Sequence, residues 1–340
     1  MTEQDLQILV KDGIYKGKPL GAKLEETHIS WILLTNELVF KIKKPVKLSF
    51  LDFSGLTTRK TLCEKELRLN KRFSPIYLDV LPVTKQVDGY EIGGESGQII
   101  DYAVMMKRLS AAKKMDTLLA VKEITSEDMV ALAEKIADLH RNAQVISTAF
   151  DPNVQMATFN DIESIKLFAA RHLTKDYLNI IDNATSTGNA FIHHYADRMA
   201  ERVRLGFKRD VHGDLHSGNI FIDKEPIIFD CIEFNDAFRQ IDVLSDIAFL
   251  CMDLEAASQG SLSEIFLTIY CDQFPAFQQS ADNQIFLYYK CLRANIRAKV
   301  NAVSAWESEG SEPFQEHLEA AEKYLRLMND YVMQIQGKAD

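Results

Sequence analysis

The rhythm of apolar residues changes near residue 106, and this change limits the fold more than any single motif does. Ahead of it, ETHISWILLTNELVFKIKKP reads as two β-rich runs, Ser30 to Leu34 and Leu38 to Ile42, joined by the polar turn Thr35-Asn36-Glu37. A helix is expected next in TTRKTLCEKELRLNKRF, where Leu62, Leu69 and Phe73 recur among charges at roughly helical spacing. VLPVTKQVDGYEIGGESGQIIDYAVMMKRL then alternates β-branched and aromatic runs with Asp-Gly and Gly-Gly breaks, as the remaining strands of a small antiparallel sheet would. Beyond Lys107, TSEDMVALAEKIADLHRNAQ offers an N-cap at Thr125 or Ser126 and an apolar face, and most of 155–206 and 240–335 has a helical pattern. The expectation is an α+β, two-lobed chain: a small antiparallel β-rich N-terminal lobe over 1–106 and a larger helical C-terminal lobe over 107–340. A length of 340 residues, more than twice a typical domain, agrees with two lobes.

Inside the helical part lies one β excursion, NIFIDKEPIIFD, whose two apolar runs bracket a turn at Asp223, Lys224, Glu225 and Pro226. Directly before it stands VHGDLHSGNIFI, Val211 to Ile222, which gathers two histidines, an aspartate, two glycines and an asparagine. Three readings compete. As a metal site, His212, Asp214 and His216 share one face of an extended segment, but a structural zinc site wants four protein ligands and no nearby Cys or His pair completes the set. As a structural turn, Asp214 would merely cap neighbouring backbone. As a phosphotransferase loop, one carboxylate stands near an acceptor hydroxyl while an amide and a second carboxylate hold Mg²⁺ on nucleotide phosphates. Asp214, Asn219 and Asp230 supply that set, and folding the hairpin back brings Asn219 and Asp230 together. Chance places HxDxxxxN in a chain of this length about one time in a hundred, so the spacing itself favours the third reading.

Charge and cysteine usage narrow the class of partner. Residues 1–100 carry 15 Lys/Arg against 13 Asp/Glu, whereas 101–340 carry 24 against 36. An acidic second part lacks the basic stripe that nucleic acid requires, and suits a cationic or metal-chelated substrate or a plainly solvated surface. The five cysteines form no CxxC pair and their odd number does not suggest a disulfide framework. No leader pattern opens the chain and nowhere do 18 apolar residues run together, so a cytoplasmic protein with no membrane span is expected. GxxxxGK[ST] is absent, which leaves any nucleotide to another cradle.

HGDLHSGNIFI with IIFD resembles the catalytic loop and metal-binding strand of the aminoglycoside phosphotransferase family, relatives of choline kinases and, more distantly, of protein kinases. DVLSDIAF (Asp242 to Phe249) resembles that family's D-x-x-x-D-I/L-A helix, with Asp246 as its second acid, and IADLHRN with His140 resembles the helix before the substrate-binding insertion. THISWILL, FKIKKPV, FLDFS and FDCIEFNDAFRQIDVLSDIAFL are similar to a bacterial subgroup of uncharacterised members. The resemblance implies a bilobal protein-kinase-like fold over nearly the whole chain, with nucleotide in the cleft between the lobes. It implies Asp214 as the catalytic or hydroxyl-orienting carboxylate, Asn219 and Asp230 as metal ligands, and His212 and Asp246 as supports of the loop. His216 receives no role.

The same resemblance implies a phosphate-binding lysine on the third strand paired with a glutamate on the following helix. Lys41 is the first choice and Lys43, on the same strand face by the period of two, the second; Lys44 points away. Glu66 and Glu64 compete for the glutamate, since residues two apart diverge on a helix, and Glu66 is favoured by Phe73 seven residues on. No glycine-rich loop precedes the first hairpin strand; Thr27 and Ser30 in EETHIS would contact phosphate in its place, or simply form a turn. Backbone groups from Met106 to Arg108 would meet the purine edge. The implied activity is transfer of the γ-phosphoryl group of ATP or GTP, with Mg²⁺, to a hydroxyl of a small, amino-sugar-like or choline-like acceptor placed near 155–205 and the acidic segment around Glu233 and Asp236. A nucleotide-binding regulatory module without phosphotransfer is the rival reading. A protein kinase is disfavoured, because HGD replaces HRD and no APE-like segment follows Asp230.

Overall fold

A computed structural model describes residues 1–48, 51–87 and 89–337. Phe50 of FLDFS, Asp88 of the Asp-Gly break and residues 338–340 of the helical part lie outside them. The chain divides into two compact units, Met1–Leu118 with Gly218–Arg239, and Leu119–Ser217 with Gln240–Asp340. The expected boundary at 106/107 therefore falls inside the first unit, and the β excursion belongs to that unit.

In the first unit, α1 (Glu3–Asp12) starts at Thr2, whose hydroxyl accepts from the Asp5 amide while the Asp5 carboxylate accepts in return from Thr2. Strands β1 (Ile14–Tyr15), β2 (Lys18–Pro19), β3 (Lys23–Glu26), β4 (Ser30–Leu34) and β5 (Leu38–Lys43) follow, then a small hairpin of β6 (Lys47–Leu48) and β7 (Leu51–Asp52). Next come α2 (Leu56–Asn70), β8 (Tyr77–Gln86), β9 (Gly89–Ile92) and β10 (Gln98–Lys107). One eight-stranded sheet results, in the order β2-β1-β9-β8-β10-β5-β4-β3, antiparallel except where β1 runs parallel to β9.

The strand period of two sorts the residues of β5. Phe40 and Ile42 join Trp31, Leu33 and the α1 residues Leu6 and Leu9 in one core cluster. Val39 packs on the other side with Cys63 of α2, Tyr77 and Val104. Lys41 and Lys43 share the Val39 face by the same period, so they point towards α2. The buried face of α2 is itself largely polar: Arg59, Cys63, Glu66 and Asn70 lie at i, i+4, i+7 and i+11. A purely apolar periodicity under-reports this helix.

The helix α3 (Met115–Ala120) leads into the second unit, with α4 (Ser126–Asn142), α5 (Pro152–Asn160), α6 (Lys166–His172), α7 (Lys175–Arg204) and β11 (Lys208–Asp210). The excursion, β12 (Ile220–Phe221) and β13 (Ile227–Ile228), pairs Ile220 with Ile228, and its Ile227 and Phe229 pack onto the Cys63–Val104 cluster of the first unit. The chain then forms β14 (Gln240–Asp242), paired with β11, and α8 (Val243–Ala256), α9 (Gly260–Gln273), α10 (Ser280–Glu307) and α11 (Pro313–Gln336). Thr125 caps α4, again with a reciprocal carboxylate, Asp128. Val243 through Leu254 of α8 are all buried, which marks α8 as the central helix of this unit. All five cysteines are free, and burial raises the thiols of Cys63 and Cys251 to about 12. No helix among the described residues is long and apolar enough to cross a membrane.

Candidate active site

The loop His212-Gly213-Asp214 is tied to the first turns of α8. Asp246, fully buried, accepts from the Gly213 amide at 2.8 Å, the His212 amide at 3.3 Å and His140 Nε2 at 3.1 Å. His140 is steadied in turn by Tyr270, whose hydroxyl lies 2.8 Å from Nδ1. Burial pushes the Asp246 carboxyl up, but the His140 hydrogen bond and the charges around it hold it below the usual carboxylate range. Gly213 has φ +84, a left-handed backbone that a side chain would strain, and its carbonyl accepts from Arg293 at 3.1 Å. The Asp214 amide reaches His212 Nδ1 at 3.3 Å, so His212 braces the loop from within.

What this bracing presents is the Asp214 carboxylate, whose side chain is 38% exposed. His216 Nε2 stands 3.4 Å from its Oδ2. Burial raises the Asp214 carboxyl, yet His216, His212 and Arg297 outweigh burial and hold it well below the usual range. Farther along the loop, Ser217 donates its amide at 2.9 Å, and its hydroxyl, to Asp253 Oδ2. Asp253 lies seven residues after Asp246 on α8, and its Oδ1 accepts from the Tyr324 hydroxyl at 3.3 Å. Arg293, Arg297 and Tyr324 come from distant helices and carry no motif in the sequence. The Asp246–Asp253 pair was legible, since two acids two turns apart share one face of an otherwise apolar helix.

In the first unit, the candidates from β5 and α2 form a buried ladder of charges. Glu66 pairs with both lysines: Lys41 Nζ lies 3.0 Å from Oε1, and Lys43 donates to Oε2 at 2.7 Å. Lys41 also reaches Asp230, and Lys43 reaches Glu233. Lys43, Glu66 and Glu233 are almost wholly removed from solvent, whereas the Asp230 side chain is 41% exposed. Burial pushes the Glu66 carboxyl up, but its two ammonium partners hold it down to about 2; burial also raises Glu233, and there burial prevails. Lys44 leaves this face for Glu26, and Glu64 is exposed beside Lys60.

Asp230 has φ +62, a left-handed backbone that aspartate tolerates better than most side chains. Tyr77 and Asn70 hold the backbone on either side of it. The Asp230 amide donates to the Tyr77 hydroxyl at 3.0 Å, and the Cys231 amide donates to Asn70 Oδ1 at 2.8 Å. The hairpin register sets Asn219 opposite Phe229, whose amide donates to the Asn219 carbonyl at 3.0 Å, so Asn219 stands one residue from Asp230 across the ladder. An amide oxygen and a carboxylate are hard donors suited to a cation that completes its shell with phosphates and water.

At three of the expected contacts, groups are already engaged within the chain. Ser30 is fully buried, and Thr27 Oγ1 accepts from the Ser30 amide at 3.0 Å, so both residues close the β3–β4 turn and the Ser30 hydroxyl is out of a ligand's reach. Around Met106, itself buried, the Lys107 amide already donates to Ile76 and the Arg108 amide to Glu37, and the Arg108 side chain donates to Thr35, so these amides are not donors for a purine edge. Glu233 is spent on Lys43 and Asp236 on Lys65 at 2.7 Å and Arg239 at 2.9 Å, so this acidic segment offers an acceptor no free charge of its own.

Residues 38–281 match the model of the phosphotransferase enzyme family, a span that holds Lys41, Glu66, Asp214, Asn219 and Asp230. Uncharacterised proteins of Mycobacterium tuberculosis and Mycobacterium bovis are 28% identical over 315 residues, 89% of this chain and 59% of theirs. The chain thus spans about three fifths of the length of these curated relatives. Among solved structures, a choline/ethanolamine kinase family protein from Mesorhizobium loti aligns with TM-score 0.51 at 12% identity, covering 96% of this chain and 98% of that one. The GDP complex of aminoglycoside 2'-phosphotransferase-IIIa aligns with TM-score 0.52 at 11% identity, covering 95% and 98%. At such identities the likeness speaks for the kinase-like fold alone. With the family model spanning more than two thirds of its length, the chain belongs to the phosphotransferase enzyme family.

Proposed function

We propose that the protein transfers the γ-phosphoryl group of ATP or GTP to a hydroxyl of a small molecule. The observation that carries this reading is the ion-pair ladder, in which one buried glutamate holds two ammonium groups and Lys41 bridges to Asp230. A lysine so fixed can neutralise nucleotide phosphates without reorganising, and in phosphoryl transfer positioning and electrostatics carry most of the rate enhancement. Asn219 and Asp230 would hold Mg²⁺, which would supply positive charge against the nucleotide phosphates. Asp214, ionised at neutral pH because its carboxyl is held so low, accepts a hydrogen bond from the acceptor hydroxyl and orients its oxygen. The acceptor O–P bond forms as the bridging P–O bond of the nucleotide breaks. The acceptor proton leaves by way of Asp214, and the nucleoside diphosphate departs.

The test is a mass-shift screen of a cell metabolite extract incubated with the protein, magnesium and ATP or GTP, comparing the native protein with Asp214→Asn. Products one phosphate heavier are expected, and the variant should form them about two to four orders of magnitude more slowly. Equal yields from both proteins would remove Asp214 from the mechanism. Nucleotide binding without any product would leave the regulatory module as the better account.

A further inference from the structure

The last turn of α2 reaches the segment that carries Asp230 through a side chain outside the ladder of charges. Asn70, the final residue of α2, is fully buried, and its carbonyl accepts from the Phe73 and Ser74 amides at 2.9 and 3.0 Å. Its side chain is spent on backbone. Nδ2 donates to the Glu66 carbonyl at 3.0 Å and to the Cys231 carbonyl at 3.4 Å, while Oδ1 accepts from the Cys231 amide at 2.8 Å. Tyr77, at the start of β8, is buried too, and its hydroxyl accepts from the Asp230 amide at 3.0 Å. Farther along the segment, Lys43 holds Glu233, and Lys65 of α2 holds Asp236 at 2.7 Å.

These bonds grip the two peptide groups that flank the Asp230 α-carbon. The amide before it is held by Tyr77 and the amide after it by Asn70, so both backbone torsions of Asp230 are pinned and only side-chain rotation remains. At φ +62 the residue sits in the small left-handed region. A released backbone would have the broader right-handed and extended regions open to it, and each aims the carboxylate elsewhere. The hold of a site on its cation depends on the groups behind the ligands that orient them. The same face of α2 carries Glu66, one turn before Asn70, which pairs with Lys41. We infer that Asn70 and Tyr77 are positioning residues for Asp230: they hold its carboxylate at the angle in which it takes magnesium. The inference rests on the phosphotransferase reading, in which Asp230 is a metal ligand, and adds that magnesium affinity is set from α2 and β8 as well as by the ligands themselves.

Nucleotide binding measured with and without magnesium separates this role from a merely structural one. Non-hydrolysable ATP and GTP analogues are titrated calorimetrically into the native protein, Asn70→Ala and Tyr77→Phe, in magnesium and in EDTA. The native protein should bind nucleotide more tightly in magnesium. In both variants that gain should fall about tenfold, while affinity in EDTA stays at the native level. Tyr77→Phe removes a single oxygen, so it decides the matter should Asn70→Ala not fold. Arg59→Lys is the control, on the same buried face of α2 but with its bonds going to Phe53, Ser54 and Asp101. It should lower the urea midpoint and keep the gain. A full gain in either folded variant, an equal fall in EDTA, or an equal loss in Arg59→Lys would each overturn the inference. A native protein that binds no nucleotide, or binds it with no gain from magnesium, would instead strike the phosphotransferase reading itself, and the inference with it.

Discussion

The two charged clusters of this molecule are built on opposite plans. In the first unit, Lys41, Lys43, Glu66, Asp230 and Glu233 neutralise one another in a ladder that is buried except at Asp230. In the second, Asp246 and Asp253 spend themselves on the backbone and side chains of the loop, while the Asp214 carboxylate keeps an exposed side. The difference teaches how each is meant to respond. A closed ladder holds its geometry in the absence of ligand, as suits groups that must meet a nucleotide in a fixed place. A braced loop that presents one carboxylate with an exposed side is the part that an incoming acceptor meets.

The sharpest way to break this comparison is Glu66→Gln. Two buried ammonium groups would lose their shared counter-charge, and about 3–5 kcal/mol of stability should go with it, measured by urea unfolding. A loss below about 1 kcal/mol would mean that the ladder is not closed in the sense argued. Asp246→Asn is the counterpart in the second unit. It keeps an acceptor oxygen but removes the charge that receives two loop amides and His140, and should cost about 2–3 kcal/mol together with a fall in turnover. A stability loss with turnover intact would separate Asp246 from the positioning of Asp214.

Acid titration should give the smallest effect. The Glu66 carboxyl is held at about 2 against an ordinary value of 4.5, so the stability it contributes is fully present above 4.5 and drains as the pH falls towards 2. Unfolding free energies taken from about pH 5 to about pH 3 should therefore fall less steeply in Glu66→Gln than in the native protein. Equal slopes in the two proteins would show that Glu66 is not ion-paired in solution.

Much of this could be read from residue order, and the rest fails for identifiable reasons. The strand period put Lys41 and Lys43 on one face, and the choice between them had no local answer because a single Glu66 takes both. Ser30 and Thr27 look like phosphate contacts by position, but the Thr27 hydroxyl accepts from the Ser30 amide and so serves the turn. Glu233 and Asp236 read as a free acidic patch because nothing nearby in sequence shows Lys43, 190 residues away, or Lys65.

Local order alone determined the alternation that makes β4 and β5, the caps of α1 and α4, and the spacing that carries Asp214, Asn219 and Asp230, because each depends on neighbours within a few residues. Only the tertiary structure decided that residues 218–239 join the first unit, that Asp230 takes a left-handed backbone beside Tyr77 and Asn70, and that Asp246 and Asp253 of α8 hold the loop of Asp214. Burial and pairing of charge are set by which distant segments pack together, and periodicity along the chain has no term for that.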